Sequence, residues 1–210
     1  MLAPWAFVLD GVGGTQRGGD AAQIAMATLL GQLAVLDPEA RVDHDLLRRL
    51  AQAAHRRVTE ELSGSGTTTM TLVHILPLAH KLTSVQLCAV GDSPAWIVSR
   101  EASPVQIFTP SNQGNVLDSA VGLEPFIPHI STASLIDDGR IVLATDGINA
   151  LPSEQRDEIM MNTRLSAQDC ASLLAHTAIR CGGTDNTTVA VVDIARTPLE
   201  HANMSLLLPS

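Results

Sequence analysis

The chain has 210 residues, a formal net charge of −9, 45% hydrophobic residues, 2% aromatics and no Tyr, which suits one domain with an aliphatic core and excludes a disordered chain. An acidic surface repels phosphate backbones and anionic headgroups, and scarce aromatics offer little for base stacking, so nucleic-acid and membrane partners are excluded. No apolar run reaches the roughly 18 residues of a membrane helix. The start carries no basic leader, and Cys88, Cys170 and Cys181 are odd in number without CxxC spacing, so the chain reads as a cytoplasmic monomer.

Residues 5–9 (WAFVL) form a short buried strand that stops at Asp10-Gly11. A Gly-rich loop follows over 11–19, and from Asp20 strong helix formers take over, with Asp20 near the positive helix end. A second helix is predicted over 43–62. Asp43 can cap it, Leu46, Leu47, Leu50, Ala54 and Val58 repeat at helical spacing, and Gly64 suits a left-handed stop. The runs 67–76, 81–90, 94–100 and 105–109 are short and β-branched, and read as an antiparallel meander. Residues 129–136 and 140–145 flank Asp137-Asp138-Gly139, a hairpin signal. Helices are predicted over 153–161, with Ser153 as its cap, and over 166–180. Residues 187–194 (TTVAVVDI) read as a last buried strand. Strand, two helices, several strands, two helices, strand is an α+β order. It suits two mostly antiparallel sheets packed face to face with helices outside, an α/β/β/α sandwich. One domain is expected over 1–196, with a C-terminal tail over 197–210.

Four aspartates share one local setting. Asp10, Asp92 and Asp146 follow apolar β runs, and Asp185 precedes one. Each alone reads as a turn residue making a local hydrogen bond. At the ends of adjacent strands they can converge at one rim, where carboxylates repel unless a cation neutralises them. All-oxygen ligation suits Mg²⁺ or Mn²⁺. The seven histidines show no ligand spacing. His44 and His55 are expected to face solvent, His74 and His129 lie in strand-like runs, and His176 lies on a helix.

The segments DGVGGTQRGGDAA (10–22), GTTTMTLV (66–73), AVGDSPAW (89–96), LATDGIN (143–149) and GGTDNTTVAVV (182–192) occur in that order. Together they resemble the DGMGG, GTT, GDSR, SDGL and DN-x-T motifs of bacterial PPM-family (type 2C) Ser/Thr protein phosphatases. The resemblance implies hydrolysis of phosphoserine and phosphothreonine in phosphoprotein substrates by a water held between two Mn²⁺ or Mg²⁺ ions. It implies that Asp10 bridges the ions with the Gly11 carbonyl as a further ligand, that Asp146 and Asp185 serve the first ion, and that Asp92 lies with Asp146 near a weaker third site. Gly11, Gly13 and Gly14 would let backbone approach metal and phosphate.

The sequence departs from the family pattern in four places. The nine residues before Asp10 hold no RxxNED arginine or acidic ligand, Pro94 stands where GDSR has Arg, and Thr15 replaces the motif histidine. Phe108 runs almost directly into NVLDSAVG (115–122), so the flap is expected to be reduced. Losing a bidentate arginine and one carboxylate weakens phosphate grip and the second ion site. The alternative is therefore a catalytically impaired regulatory or interaction module on the same fold. Arg17, in the Gly-rich loop, reads first as a solvated loop arginine and second as a residue in reach of a substrate phosphate. A haloacid-dehalogenase-type phosphatase is disfavoured, because its nucleophilic aspartate would fall on Val8.

Overall fold

The computed structural model describes residues 5–13, 15–37, 40–78, 81–108 and 118–194. The expected domain edge at 196, the tail over 197–210, Gly14 and the start of the 115–122 segment lie outside the described residues. Eight strands form two four-stranded antiparallel sheets. The first sheet orders β1 (Trp5–Val8), β2 (Met70–Pro77), β3 (Leu82–Val90) and β6 (His129–Ile136) side by side. The second orders β5 (Val105–Phe108), β4 (Ala95–Ser99), β7 (Gly139–Ala144) and β8 (Val189–Ile194). Helices α1 (Gly18–Ala34) and α2 (His44–Leu62) cover the first sheet, and α3 (Ser153–Met161) and α4 (Ala167–Arg180) cover the second. The α/β/β/α sandwich read from the element order is the fold observed.

The layering follows from strand parity, because successive side chains point to opposite faces. On β2, Met70 and Leu72 face the α1–α2 layer while Val73 and Ile75 face the opposite sheet. On β4, Ala95 and Ile97 join that inter-sheet core while Trp96 and Val98 pack toward α3 and α4. β7 does the same with Ile141 and Leu143 inward and Val142 and Ala144 outward. Strands buried on both faces explain the nearly unbroken apolar runs. Each fully buried Leu or Ile contributes about 1.5–3 kcal/mol. Helix α1 buries Ala21, Ala25, Leu29 and Leu33, one residue every turn. Asp43 caps α2, its Oδ1 accepting from Leu46 N at 2.9 Å.

Five local expectations need correction. The meander breaks after β3: Gly91 to Pro94 carry the chain across to the second sheet, so β3 pairs with β2 and β6, and β4 with β5 and β7. The Asp137-Asp138-Gly139 turn also crosses between sheets rather than closing a hairpin, with Asp137 at φ 62°. A tight turn fixes a reversal but not its hydrogen-bonded partner, and here both strands are claimed by other neighbours. Ser153 is the first residue of α3 and makes no side-chain cap; Pro152 precedes it. β8 is a half-buried edge strand. His55 is buried, 8% exposed, on the inner face of α2.

Candidate active site

Asp10 leaves β1 at the rim where the two sheets part, and its backbone is locked to the start of β2. Asp10 O accepts from Thr69 N and Thr68 Oγ1, each at 2.8 Å. Asp10 N donates to Thr69 Oγ1 at 3.1 Å. Thr69 Oγ1 lies 2.7 Å from Ser93 Oγ, and Thr71 Oγ1 donates to Ser93 O at 2.6 Å. Thr69, Thr71 and Ser93 are all buried, so satisfying them with one another avoids the penalty of orphaned hydroxyls. The network fixes the Gly91–Pro94 crossover against the first sheet and places Asp92 at the same rim. Gly11 next allows close packing: a Cβ there would meet the Gly18 C and O atoms at 2.4 Å, where the loop passes the first turn of α1. Gly13 has no neighbour within 4 Å of its Cβ position, so protein packing does not require glycine there.

The second sheet supplies the other half. Asp146 opens a 3₁₀ turn, Asp146–Ala150, directly after β7. Thr145 anchors the segment facing it: Thr145 Oγ1 donates to Asn186 O at 3.2 Å and accepts from Thr188 N at 3.0 Å. A Cβ on Gly147 would meet Asn186 O at 2.5 Å, so glycine lets the two loops close. Asp185 is exposed beside them, its Oδ1 accepting from Asn186 N at 2.8 Å.

The charges of these groups act on one another. Burial, then Asp146, Asp185 and Asp92 in that order, push the Asp10 carboxyl up to about 7, and a hydrogen bond to Asp146 adds to this. Burial and then Asp185 also raise Asp146, while its contact with Asp10 opposes the rise. Two carboxyls in contact share a proton or need a cation between them, and they titrate as a pair. With both ionised, Asp146 Oδ1 is buried and meets no hydrogen-bond donor among the described residues. Yet no three His, Cys, Asp or Glu side chains among the described residues close about one point as a finished metal cage does. The rim is an incomplete acidic cradle whose members feel each other, with Asp10 and Asp146 in contact and Asp185 and Asp92 acting from further off.

Arg17 sits immediately before α1, and its Nε donates to Asp20 Oδ2 at 2.7 Å with both side chains about half exposed. Its guanidinium is thus engaged by the first turn of its own helix. Pro94 is buried, and its carbonyl accepts from Ala144 N at 3.1 Å. Sequence reasoning missed Thr69, Ser93 and Thr145 as supports. The available signal was local for two of them, Ser93 beside Asp92 and Thr145 beside Asp146, whereas Thr69 meets Asp10 only through the fold.

The protein phosphatase 2C family profile matches residues 2–181. A bacterial serine phosphatase superposes with a TM-score of 0.80 at 16% identity, over 93% of this chain and 87% of that one. The serine/threonine phosphatase Stp1 from Staphylococcus aureus gives 0.76 at 16% identity, over 91% and 84%. The PPM Ser-Thr phosphatase MsPP from Mycobacterium smegmatis, in complex with cacodylate, gives 0.71 at 25% identity, over 91% and 88%. Among proteins with curated descriptions, none matches the sequence significantly. The fold is that of the PPM phosphatases. The chain belongs to the protein phosphatase 2C family.

Proposed function

We propose that the protein hydrolyses phosphoserine and phosphothreonine in proteins with the help of Mn²⁺ or Mg²⁺. The observation that carries this reading is the Asp10–Asp146 contact, with Asp10 pushed up to about 7 and Asp146 Oδ1 buried without a donor. Oxygen-only donors held together against their own repulsion fit a hard divalent cation. Asp10, Asp146 and Asp185 would hold it, with the Gly11 carbonyl and Asp92 as further donors. When bound, the cation neutralises carboxylate and phosphoryl oxygens and acidifies a water for attack on phosphorus.

The rest of the work falls to the chain itself. Asp10 gives up its shared proton when the site fills, and the Thr69–Ser93 network keeps its backbone from following the changed charge. Thr145 and Gly147 hold the Asp185–Asn186 segment against the Asp146 turn. The MsPP match, described with cacodylate, supports a tetrahedral oxyanion as the ligand class. No described helix is long and apolar enough to cross a membrane, and we place the protein in the cytoplasm as a monomer. We take the domain to 196, because β8 runs to Ile194 and completes the second sheet.

The test is turnover of a small aryl phosphate and of a phosphopeptide with Mn²⁺ added. Wild-type activity should exceed an Asp146→Asn control by about a hundredfold or more, as expected when a ligand of the reacting centre is lost. Equal rates would end the enzymatic reading. The second reading, a cation-binding interaction module without turnover, is favoured by Pro94 standing where the family motif has a guanidinium. Calorimetric titration showing tight Mn²⁺ binding to an inactive protein would select it.

A further inference from the structure

Helix α2 carries a buried histidine that the phosphatase chemistry does not use. His55 Nδ1 accepts from Gly122 N at 3.2 Å, and its Nε2 lies 3.2 Å from Glu124 Oε1. The ring stacks on Phe126 with centroids 4.2 Å apart and an interplanar angle of 27°. A backbone N–H can only donate, so Nδ1 must be bare and the imidazole proton must sit on Nε2, donating to Glu124. The same segment is tied at further points. Glu124 Oε2 accepts from Phe126 N at 3.1 Å, and Ser119 Oγ from Ile127 N at 2.9 Å.

This segment leads to the rim. Val121 N donates to Thr68 O at 2.8 Å and Thr68 N to Val121 O at 3.0 Å. Thr68 Oγ1 in turn donates to Asp10 O at 2.8 Å. Gly122 adopts φ +91°, and a Cβ there would strike Val58 Cγ1 at 2.7 Å and Gly66 O at 2.9 Å. The segment therefore lies flush on α2, with the His55 bond as its polar fixture and the Val121–Thr68 bridge as its link to Asp10.

We propose that His55 is a positioning residue: in its Nε2–H tautomer it holds the 119–126 segment against Thr68, and through Thr68 it fixes the backbone of Asp10. Its effect on turnover rests on the phosphatase reading, but its effect on the segment does not.

The test separates the two ring nitrogens. Asn places an acceptor where Nδ1 stands, whereas Gln reaches only the Nε2 position. His55→Asn should keep the Gly122 and Val121 amides protected from hydrogen exchange. His55→Gln should speed their exchange roughly ten- to a hundredfold, the range expected for a buried N–H left without its acceptor. Mn²⁺-dependent kcat should fall with Gln and recover with Asn, with KM less affected. Long-range ¹H–¹⁵N spectra of the unmutated protein should show a bare Nδ1 and a proton on Nε2 of His55, which needs no variant to fold. A proton on Nδ1, or equal exchange in the Asn and Gln variants, would overturn the proposal. Faster exchange in the Gln variant of an enzyme lacking turnover altogether would sustain the fixture and count against the phosphatase reading alone.

Discussion

Asp10, titrating together with Asp146, shapes the pH behaviour of the cation-free protein. Its folded-state carboxyl is raised from 3.8 to about 7, so between those values the folded chain binds more protons than the unfolded one. The Asp10 contribution is therefore most favourable below about pH 4 and is lost as pH rises to about 7. Discounted for solvent screening at a half-buried group, the cost at pH 8 is about 1–2 kcal/mol. Asp10→Asn should remove it, so cation-free melts at pH 8 should rise by several degrees over wild type. The two proteins should converge near pH 4, and the variant should lose its response to Mn²⁺. A variant that melts below wild type at every pH would contradict the repulsion. Asp10, Asp92, Asp146 and Asp185 were legible in the sequence because each ends or begins an apolar run. Thr69 and Ser93 were not, because Thr69 lies 59 positions from Asp10 and Ser93, between two strands, reads as a turn residue until the sheets are placed. His55 was read as solvent-facing for a related reason: the apolar stripe of α2 does not show that a loop from beyond residue 118 folds over its edge.

At the scale of elements, the strands were legible and their partners were not. Residues 129–136 were read with the observed limits, and the 140–145 run is offset from β7 by one residue. The turn between them looked like a hairpin because Asp137-Asp138-Gly139 has hairpin chemistry. The difference is settled by contacts remote in sequence: β6 lies along β3, and β7 lies between β4 and β8. Gly139 shows what the crossing demands. A Cβ there would stand 2.3 Å from Val98 O and 3.1 Å from Leu135 Cδ1. The first of these is backbone of β4 and cannot swing aside. Gly139→Ala should cost about 2–3 kcal/mol, at the upper end of overpacking penalties. Denaturant melts with an unchanged m-value would check this. The same change at Gly13, where the Cβ position is open, should stay within about 0.5 kcal/mol.

The whole molecule is two half-sandwiches joined by an apolar core, with acidic groups from both halves turned toward one rim, where Asp10 and Asp146 touch. Asp10 comes from the first sheet and Asp92 from the crossover, whereas Asp146 and Asp185 belong to loops of the second. The element order alone implied the sandwich, since paired helices between blocks of strands leave few other ways to bury both sheets. It could not imply how nearly the cradle closes, because that depends on small displacements of loops such as Asp185–Asn186. A cation shared by both halves would act as a clamp across the sheets and bind only the folded chain. Stabilisation should then follow mass action, about 2.7 kcal/mol at a free Mn²⁺ concentration one hundred times Kd. For a chain of this size that is a rise in Tm on the order of 5–10 °C, reversed by a chelator. Asp185→Asn should shift the curve to higher Mn²⁺ and leave the cation-free Tm near wild type, because Asp185 is exposed and its nearest bond, from Asn186 N, can be kept by an amide oxygen. If Mn²⁺ left the melting curve of the wild type unmoved at millimolar concentration, the two sheets would share no cation, and the carboxylates at the rim would need another explanation.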